Sequence, residues 1–233
     1  MAIDERVRPR KALIVGASAT ERLFKVGGAS LILSGVLFLS KAFLEVLVGA
    51  PPSRAGEMLG WVATRRVPFA FISETLFVAA VALIPAVAAL YARLARADRV
   101  NAVVGCGIFA VAIAVLVVID VVHGRLVYPE YRIENSEEIA RFALTVYYGG
   151  LHAVGIMFGI ATVALSVAML RAGWGRGIAA LGLAAASCHV VGAYPWIIGT
   201  SAVLLCEAVS AAWFLAVGLR LRRAAFRSRR SVA

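Results

Sequence analysis

Long apolar runs separated by short polar segments dominate the hydrophobic pattern of this chain. They cover about residues 26–48, 67–90, 100–122, 139–170, 177–191 and 195–219. A helix needs about 20 apolar residues to cross a hydrocarbon core of about 30 Å, and most of these runs reach that length. The pattern predicts an all-α protein, a polytopic transmembrane helical bundle of about six spans.

The polar ends of the chain divide it into three parts. Residues 1–24 form a basic N-terminal segment, residues 25–222 form the predicted six-helix transmembrane domain, and residues 223–233 form a basic tail. The fifth run, "GIAALGLAAASC", is rich in small residues, which let helix backbones approach closely. We therefore expect this helix in the middle of the bundle.

Composition supports the membrane interpretation. Hydrophobic residues make up 62% of the 233 residues and charged residues 16%, with a mean hydropathy of +0.89. Soluble domains are usually about 45–50% apolar and about 25% charged. The lipid bilayer is thus the predicted partner. Nucleic acid is not expected despite the net charge of +11, because the basic residues flank the apolar runs.

The distribution of Lys and Arg predicts the orientation. Seventeen of them lie at the N-terminus up to Lys25, in the second and fourth loops and at the C-terminus from Arg220 onward, whereas six lie in or beside the first and third loops. Cytoplasmic loops of membrane proteins carry the excess of Lys and Arg. Both termini are therefore predicted to be cytoplasmic, and the loops with fewer basic residues are predicted to face outside.

Four ionisable residues inside the apolar runs are candidates for a binding site. Glu74, His152, His189 and Glu207 all fall in the predicted outer half or near the midplane, with Glu207 about 12 residues into the sixth run. A charge at the bilayer centre costs at least about 2.5–3.5 kcal/mol, so such a residue is protonated, paired or beside water. We expect these side chains to share a polar cavity that opens outward and binds a small ligand or a proton.

Two further pairs lie near the outer ends of the first and third runs. Asp120 and His123 are three residues apart, on one helix face, and imidazole with carboxylate suits zinc, iron or copper. This leaves a metal ion open as a cofactor. Lys41 and Glu45 are one turn apart and can pair with each other. For His152 a purely structural hydrogen bond to a neighbouring carbonyl is the alternative.

Several stretches resemble a family of bacterial six-span membrane proteins known only as a domain of unknown function. They are "LILSGVLFLS", "IPAVAALYARLAR", "GWGRGIAALGLAAASCHVVG" and "LLCEAVSAAWFLAVGLRL". The most specific element is a Glu followed by a Trp and a Gly in the last span, here Glu207, Trp213 and Gly218. The resemblance covers about residues 20–222. It implies a six-span fold in a prokaryotic plasma membrane and no particular activity.

Three functions remain open at this point. The first is a protein that binds or moves a small ligand or a proton through the outward cavity. The second is a non-catalytic subunit of a larger membrane complex, packed against other membrane subunits or further copies of this chain. The third is a membrane-embedded enzyme, which could depend on a metal. No catalytic residue is predicted.

The orientation is tested with topology reporters. Fusions after Ala97 and after Ala172 should report a cytoplasmic location, and a fusion within residues 134–136 should report an outside location, because the basic loops stay inside. The reverse pattern would overturn both the orientation and the outward direction of the cavity.

Overall fold

Helices form the regular structure of the described chain. The computed structural model describes residues 7–52, 54–128 and 136–230, and the side chains of residues 7–18, 55 and 226–230 are not described. The helices are α1 (Val7–Val48), α2 (Met58–Thr64), α3 (Arg66–Leu94), α4 (Arg99–Gly124), α5 (Glu137–Arg171), α6 (Arg176–Gly192), α7 (Pro195–Ile198) and α8 (Thr200–Arg230). A 3₁₀ turn, Ala55–Glu57, precedes α2.

Six of these helices pack in a closed ring. The order of contact is α1, α3, α4, α5, α6 and α8, and α8 packs back against α1. Helices that follow one another in sequence are thus neighbours in space, and the contact between the first and the last helix closes the bundle. The short helices α2 and α7 lie in the connections at one end, which the predicted orientation makes the outer end.

Five helices are long and apolar enough to cross a membrane. They are α1 from Ala19 onward, α3, α4, α5 and α8 up to Ala225. The chain is therefore a multi-pass helical membrane protein, as the sequence predicts. The remaining apolar helix, α6, has 17 residues and spans about 25 Å at 1.5 Å per residue. The sixth span and the orientation stay predictions.

The ends of two predicted spans differ from the structure. The basic N-terminal segment is helical from Val7 and continues without a break into the first span. The sixth apolar run is interrupted, because Gly199 adopts a φ of 79° between α7 and α8. Gly tolerates this left-handed conformation, in which a helix cannot continue. The long last helix therefore begins at Thr200 rather than at Pro195.

Glycines set the closest approach between neighbouring helices. A Cβ on Gly28 would lie 2.6 Å from the carbonyl oxygen of Gly218, and a Cβ on Gly218 would lie 2.6 Å from the carbonyl oxygen of Gly28. On α5, a Cβ on Gly155 would lie 2.9 Å from the Cβ of Ala193, just beyond α6. Glycine is thus required where α1 meets α8, because any side chain would push the backbones apart.

The small residues of α6 pack closely on one face of the helix, and they do not place the helix in the middle of the bundle. A Cβ on Gly182 would lie 2.6 Å from Nε1 of Trp213, so the small face of α6 packs closely against its neighbours. However, α6 occupies a place in the ring, and its other face exposes Leu183, Val190 and Val191. The expectation of a central helix is wrong, because small residues report a close contact on one face rather than contact on all sides.

Phenylalanines fill the centre of the ring. Phe38 of α1, Phe109 of α4, Phe158 of α5 and Phe214 of α8 meet with ring centroids 4.7 to 6.4 Å apart. Offset and edge-to-face contacts at these distances are favourable. These four residues, called here the phenylalanine floor, close the lumen toward the end at which the chain termini lie.

At that end an ion pair ties the turn between α3 and α4 to the end of α5. Asp98 caps α4 and accepts hydrogen bonds from the backbone N–H of Asn101 (3.1 Å) and from its Nδ2 (2.7 Å). It also accepts a hydrogen bond from Nη1 of Arg171 at 2.7 Å. The Asn101 side chain above all, with help from Arg171, holds the pKa of Asp98 below its ordinary value.

The Gly28–Gly218 contact is tested with Gly218→Ala. We expect loss of about 1–3 kcal/mol of stability, because the added methyl group would meet the α1 backbone and the helices would have to separate. Thermal unfolding in mild detergent measures the effect. Gly107→Ala is the matched control, since nothing lies within 4 Å of a Cβ there. Equal unfolding temperatures for the two variants would contradict the proposed close packing.

The Asp98 cluster predicts a dependence of stability on acid. Because the folded-state pKa of Asp98 is lowered, its stabilising effect is complete above the unfolded pKa of about 3.9 and disappears as the pH falls through the folded value. Asp98→Asn should unfold at a lower temperature at pH 7 and lose less stability than the original chain on acidification to pH 3. Parallel curves for the two proteins would contradict this role.

Candidate functional site

A cavity of about 80 Å³ lies inside the ring, on the side of the phenylalanine floor away from the chain termini. All six ring helices contribute to its lining. Its ionisable side chains are Lys41, Glu45, Tyr148, His152, His189 and Glu207, and its walls include Phe38, Phe158 and Phe214. Apolar walls with a few converging polar groups are typical of small-ligand sites. We call this space the central cavity.

Glu207 is the acid of the central cavity without a direct partner. It lies seven residues after the start of α8, about 10 Å along the helix axis, because the break at Gly199 separates α8 from the first residues of the sixth apolar run. The side chain is half-buried, and no described group donates a hydrogen bond to its carboxylate. Lys41 and Glu45 act on it electrostatically across the cavity, and Cys206 is its neighbour in sequence.

Lys41 and Glu45 form a buried, internally balanced pair on α1. Nζ of Lys41 lies 2.9 Å from Oε2 of Glu45, and the two side chains are 10% and 13% exposed. The Tyr147 hydroxyl donates to Oε1 of Glu45 at 2.8 Å, and Nζ of Lys41 lies 5.6 Å from the centroid of the Tyr147 ring. The predicted pairing is thus confirmed. Since the two charges cancel, Glu207 gives the cavity an unbalanced negative charge when it is ionised.

His152 is held by a backbone hydrogen bond. Its Nδ1 lies 2.9 Å from the carbonyl oxygen of Ala193. A carbonyl only accepts, so Nδ1 carries the hydrogen and Nε2 remains for another partner. The ring packs against Tyr194 and Trp196, with centroids 4.7 and 5.5 Å away. The structural role considered for His152 is confirmed, and it leaves one ring nitrogen unused.

His189 borders the cavity with an unpaired nitrogen. The residue is 7% exposed, and its Nε2 has no hydrogen-bond partner. Its ring meets Phe158 edge-on, with centroids 5.5 Å apart. A buried polar atom without a partner costs about 1–3 kcal/mol. Nε2 is enclosed in this conformation, so a molecule in the cavity reaches it only after a rotation of the ring.

Glu74 is the predicted site residue that the structure does not bring to the central cavity. It is exposed on α3 and lines a separate groove of about 430 Å³ between α3 and α4. The Tyr128 hydroxyl donates to Oε1 of Glu74 at 2.8 Å. Asp120 lines the same groove and accepts from the Ser73 hydroxyl at 2.8 Å. The expectation of one shared cavity therefore holds for three of the four residues.

Asp120 and His123, the candidate metal pair, lie in different surroundings. Asp120 borders the groove, whereas the buried ring of His123 stacks on Tyr147 at 4.2 Å and lies 5.4 Å from Phe69. Neither ring nitrogen of His123 has a hydrogen-bond partner. Within the described part of the chain, no three His, Cys, Asp or Glu side chains come close enough to hold a metal ion.

Tyrosines contribute to the site in a way that sequence reasoning missed. Tyr147 orders Glu45, and Tyr148 lines the cavity. The tandem "VYYGG" on α5 was a signal, since tyrosine well inside an apolar run needs a partner for its hydroxyl group. The partner itself is 102 residues away on α1, and no local spacing indicates that distance.

Comparison with known protein families, curated proteins and solved structures finds no match to this chain. The resemblance to the bacterial six-span family therefore stays a prediction. The function of the protein has to be inferred from the chemistry of the central cavity.

Proposed function

We propose that this membrane protein binds a small ligand or a proton in the central cavity and that Glu207 is the group whose charge the ligand neutralises. The observation that carries the proposal is the half-buried Glu207 carboxylate, which has neither a hydrogen bond nor an adjacent counter-ion among the described residues. An isolated charge of this kind is costly within a membrane. A bound ligand or water in the cavity reduces that cost.

The remaining lining favours binding over simple packing. His152 and His189 each keep an Nε2 atom without a protein partner, so the cavity offers hydrogen-bonding capacity that the fold does not use. A site that existed only for stability would pair these groups or replace them with apolar ones. Their retention beside Glu207 supports a ligand as the missing partner.

The phenylalanine floor bears on whether a ligand also moves across the membrane. Phe38, Phe109, Phe158 and Phe214 are buried and in mutual contact, so the lumen is closed beneath the cavity in this conformation. Transport through the ring would require these side chains to separate. Binding needs no such rearrangement, and it is the function that the geometry supports best.

Two substitutions of Glu207 test the proposal. Glu207→Gln keeps the size of the side chain but cannot ionise, and Glu207→Leu also removes the polar group. If the carboxylate serves ligand binding, both variants should fold, the Leu variant should be at least as stable as the original chain, and the dependence of unfolding temperature on pH between 5 and 8 should diminish. Thermal unfolding in mild detergent provides the measurement.

The control for these variants is Glu74→Gln in the separate groove, which should keep the original pH dependence. A purely structural Glu207 predicts the opposite result. The Leu variant would then lose about 1–3 kcal/mol at every pH, because polar groups that it satisfies would be left unpaired.

A further inference from the structure

The chemistry of the central cavity narrows the class of ligand, on the basis of the binding function proposed above. Groups in its lining that can accept hydrogen bonds from a ligand include the carboxylate of Glu207, Nε2 of His152 and, once its ring turns toward the cavity, the enclosed Nε2 of His189. The last two accept when the imidazoles are neutral, with the hydrogen on Nδ1. For His152 the bond to the Ala193 carbonyl fixes this arrangement.

The charges in the cavity lining are balanced by a ligand that carries one positive charge. Lys41 and Glu45 cancel each other at 2.9 Å, and neutral histidines add nothing. The carboxylate of Glu207 therefore leaves a net charge of −1 among the lining residues. A monovalent cation balances this charge, whereas an anion would be repelled and would leave the acceptors unpaired.

The walls and the volume limit the size and the type of cation. Phe38, Phe158 and Phe214 present aromatic surface, which attracts cations through its negative face. At about 10–15 Å³ for each water-sized group, 80 Å³ admits roughly five to eight such groups. A compact ligand of no more than about eight heavy atoms fits this space.

The spacing of the acceptors distinguishes a hydrogen-bonded cation from a metal ion. Metal ligands approach within about 2.0–2.2 Å, whereas N–H donors reach their acceptors over about 2.7–3.2 Å. The described His and Glu side chains do not come close enough for a metal centre. Imidazole nitrogens are also poor ligands for hard alkali cations, which prefer oxygen.

We propose that the central cavity binds ammonium or a small primary alkylammonium ion, held by Glu207, His152 and His189. The N–H donors of an ammonium group are distributed over these acceptors. The charge is neutralised by Glu207, and the short alkyl part contacts the phenylalanine rings. A quaternary ammonium ion lacks the N–H donors and leaves both histidines unsatisfied.

The test uses the full-length protein in mild non-ionic detergent at pH 8 and constant ionic strength. Unfolding temperature is measured against increasing ammonium chloride, methylammonium chloride, sodium chloride and tetramethylammonium chloride, and calorimetric titration gives the affinity for methylammonium. Ammonium and methylammonium should raise the unfolding temperature to a plateau, because a ligand that binds the folded state stabilises it. Sodium and tetramethylammonium should have no such effect.

Substitutions then assign the site. Glu207→Gln and His189→Leu should each weaken methylammonium binding by about tenfold or more, the typical effect of losing a hydrogen bond that involves a charged group. Glu74→Gln should bind like the original chain. Unchanged affinity in both cavity variants would overturn the assignment. The salt comparison on the unsubstituted protein decides the ligand class even where a variant fails to fold.

Other outcomes separate this inference from the proposed function. An equal response to all four salts would reflect ionic screening and would overturn the ammonium site. Loss of pH dependence in Glu207→Gln without any ammonium binding would favour a proton as the ligand, so the ligand class would be wrong while the site at Glu207 stands. No pH dependence and no ammonium binding would overturn both.

Discussion

Hydrocarbon offers no hydrogen-bond partner, so a charge that this bundle buries is costly unless it is paired inside the protein or meets a ligand or water. The Lys41–Glu45 pair shows how the fold meets this constraint. The two charges lie one turn apart on α1, and the Tyr147 hydroxyl from α5 occupies the remaining face of the carboxylate. This interaction connects opposite sides of the ring across the lumen. It also leaves Glu207 as the carboxylate without an adjacent counter-ion, because Lys41 already pairs with Glu45.

The position of the cavity follows from the residues that α1 directs toward α8. Gly28 and Gly35 are seven residues apart and lie on the same side of the helix, and at both positions the α8 chain approaches within 3 Å of a Cβ built on the glycine. The helices are therefore tightly packed on the inner side of the phenylalanine floor. Beyond it α1 places Lys41 and Glu45 in the lining of the cavity, where their side chains need space and polar neighbours. The lumen is thus open where the sequence changes from glycine to charged residues.

Much of the fold was predictable from hydrophobic patterning, and the failures have physical causes. The long spans follow directly from run length, and the pairing of Lys41 with Glu45 follows from helical spacing. The break at Gly199 was missed because the apolar character continues through it, and hydropathy does not record a change of φ. The site was only partly predictable, because hydropathy does not record the rotation of a helix either. Depth along each helix can be counted, but helix rotation decides that Glu207 faces the cavity and Glu74 faces the groove between α3 and α4.

Two buried histidines illustrate why surroundings, rather than residue type, identify a binding group. His123 and His189 are both almost fully buried, and both have ring nitrogens without hydrogen-bond partners. His123 is fully buried between Phe69 and the stacked ring of Tyr147, so its imidazole contributes through packing. His189 lines a space that also contains an unbalanced carboxylate. An unpaired nitrogen in an enclosed packing position is a cost to stability, whereas we propose that the nitrogen of His189, in the lining that also holds Glu207, serves as an acceptor for a positively charged donor.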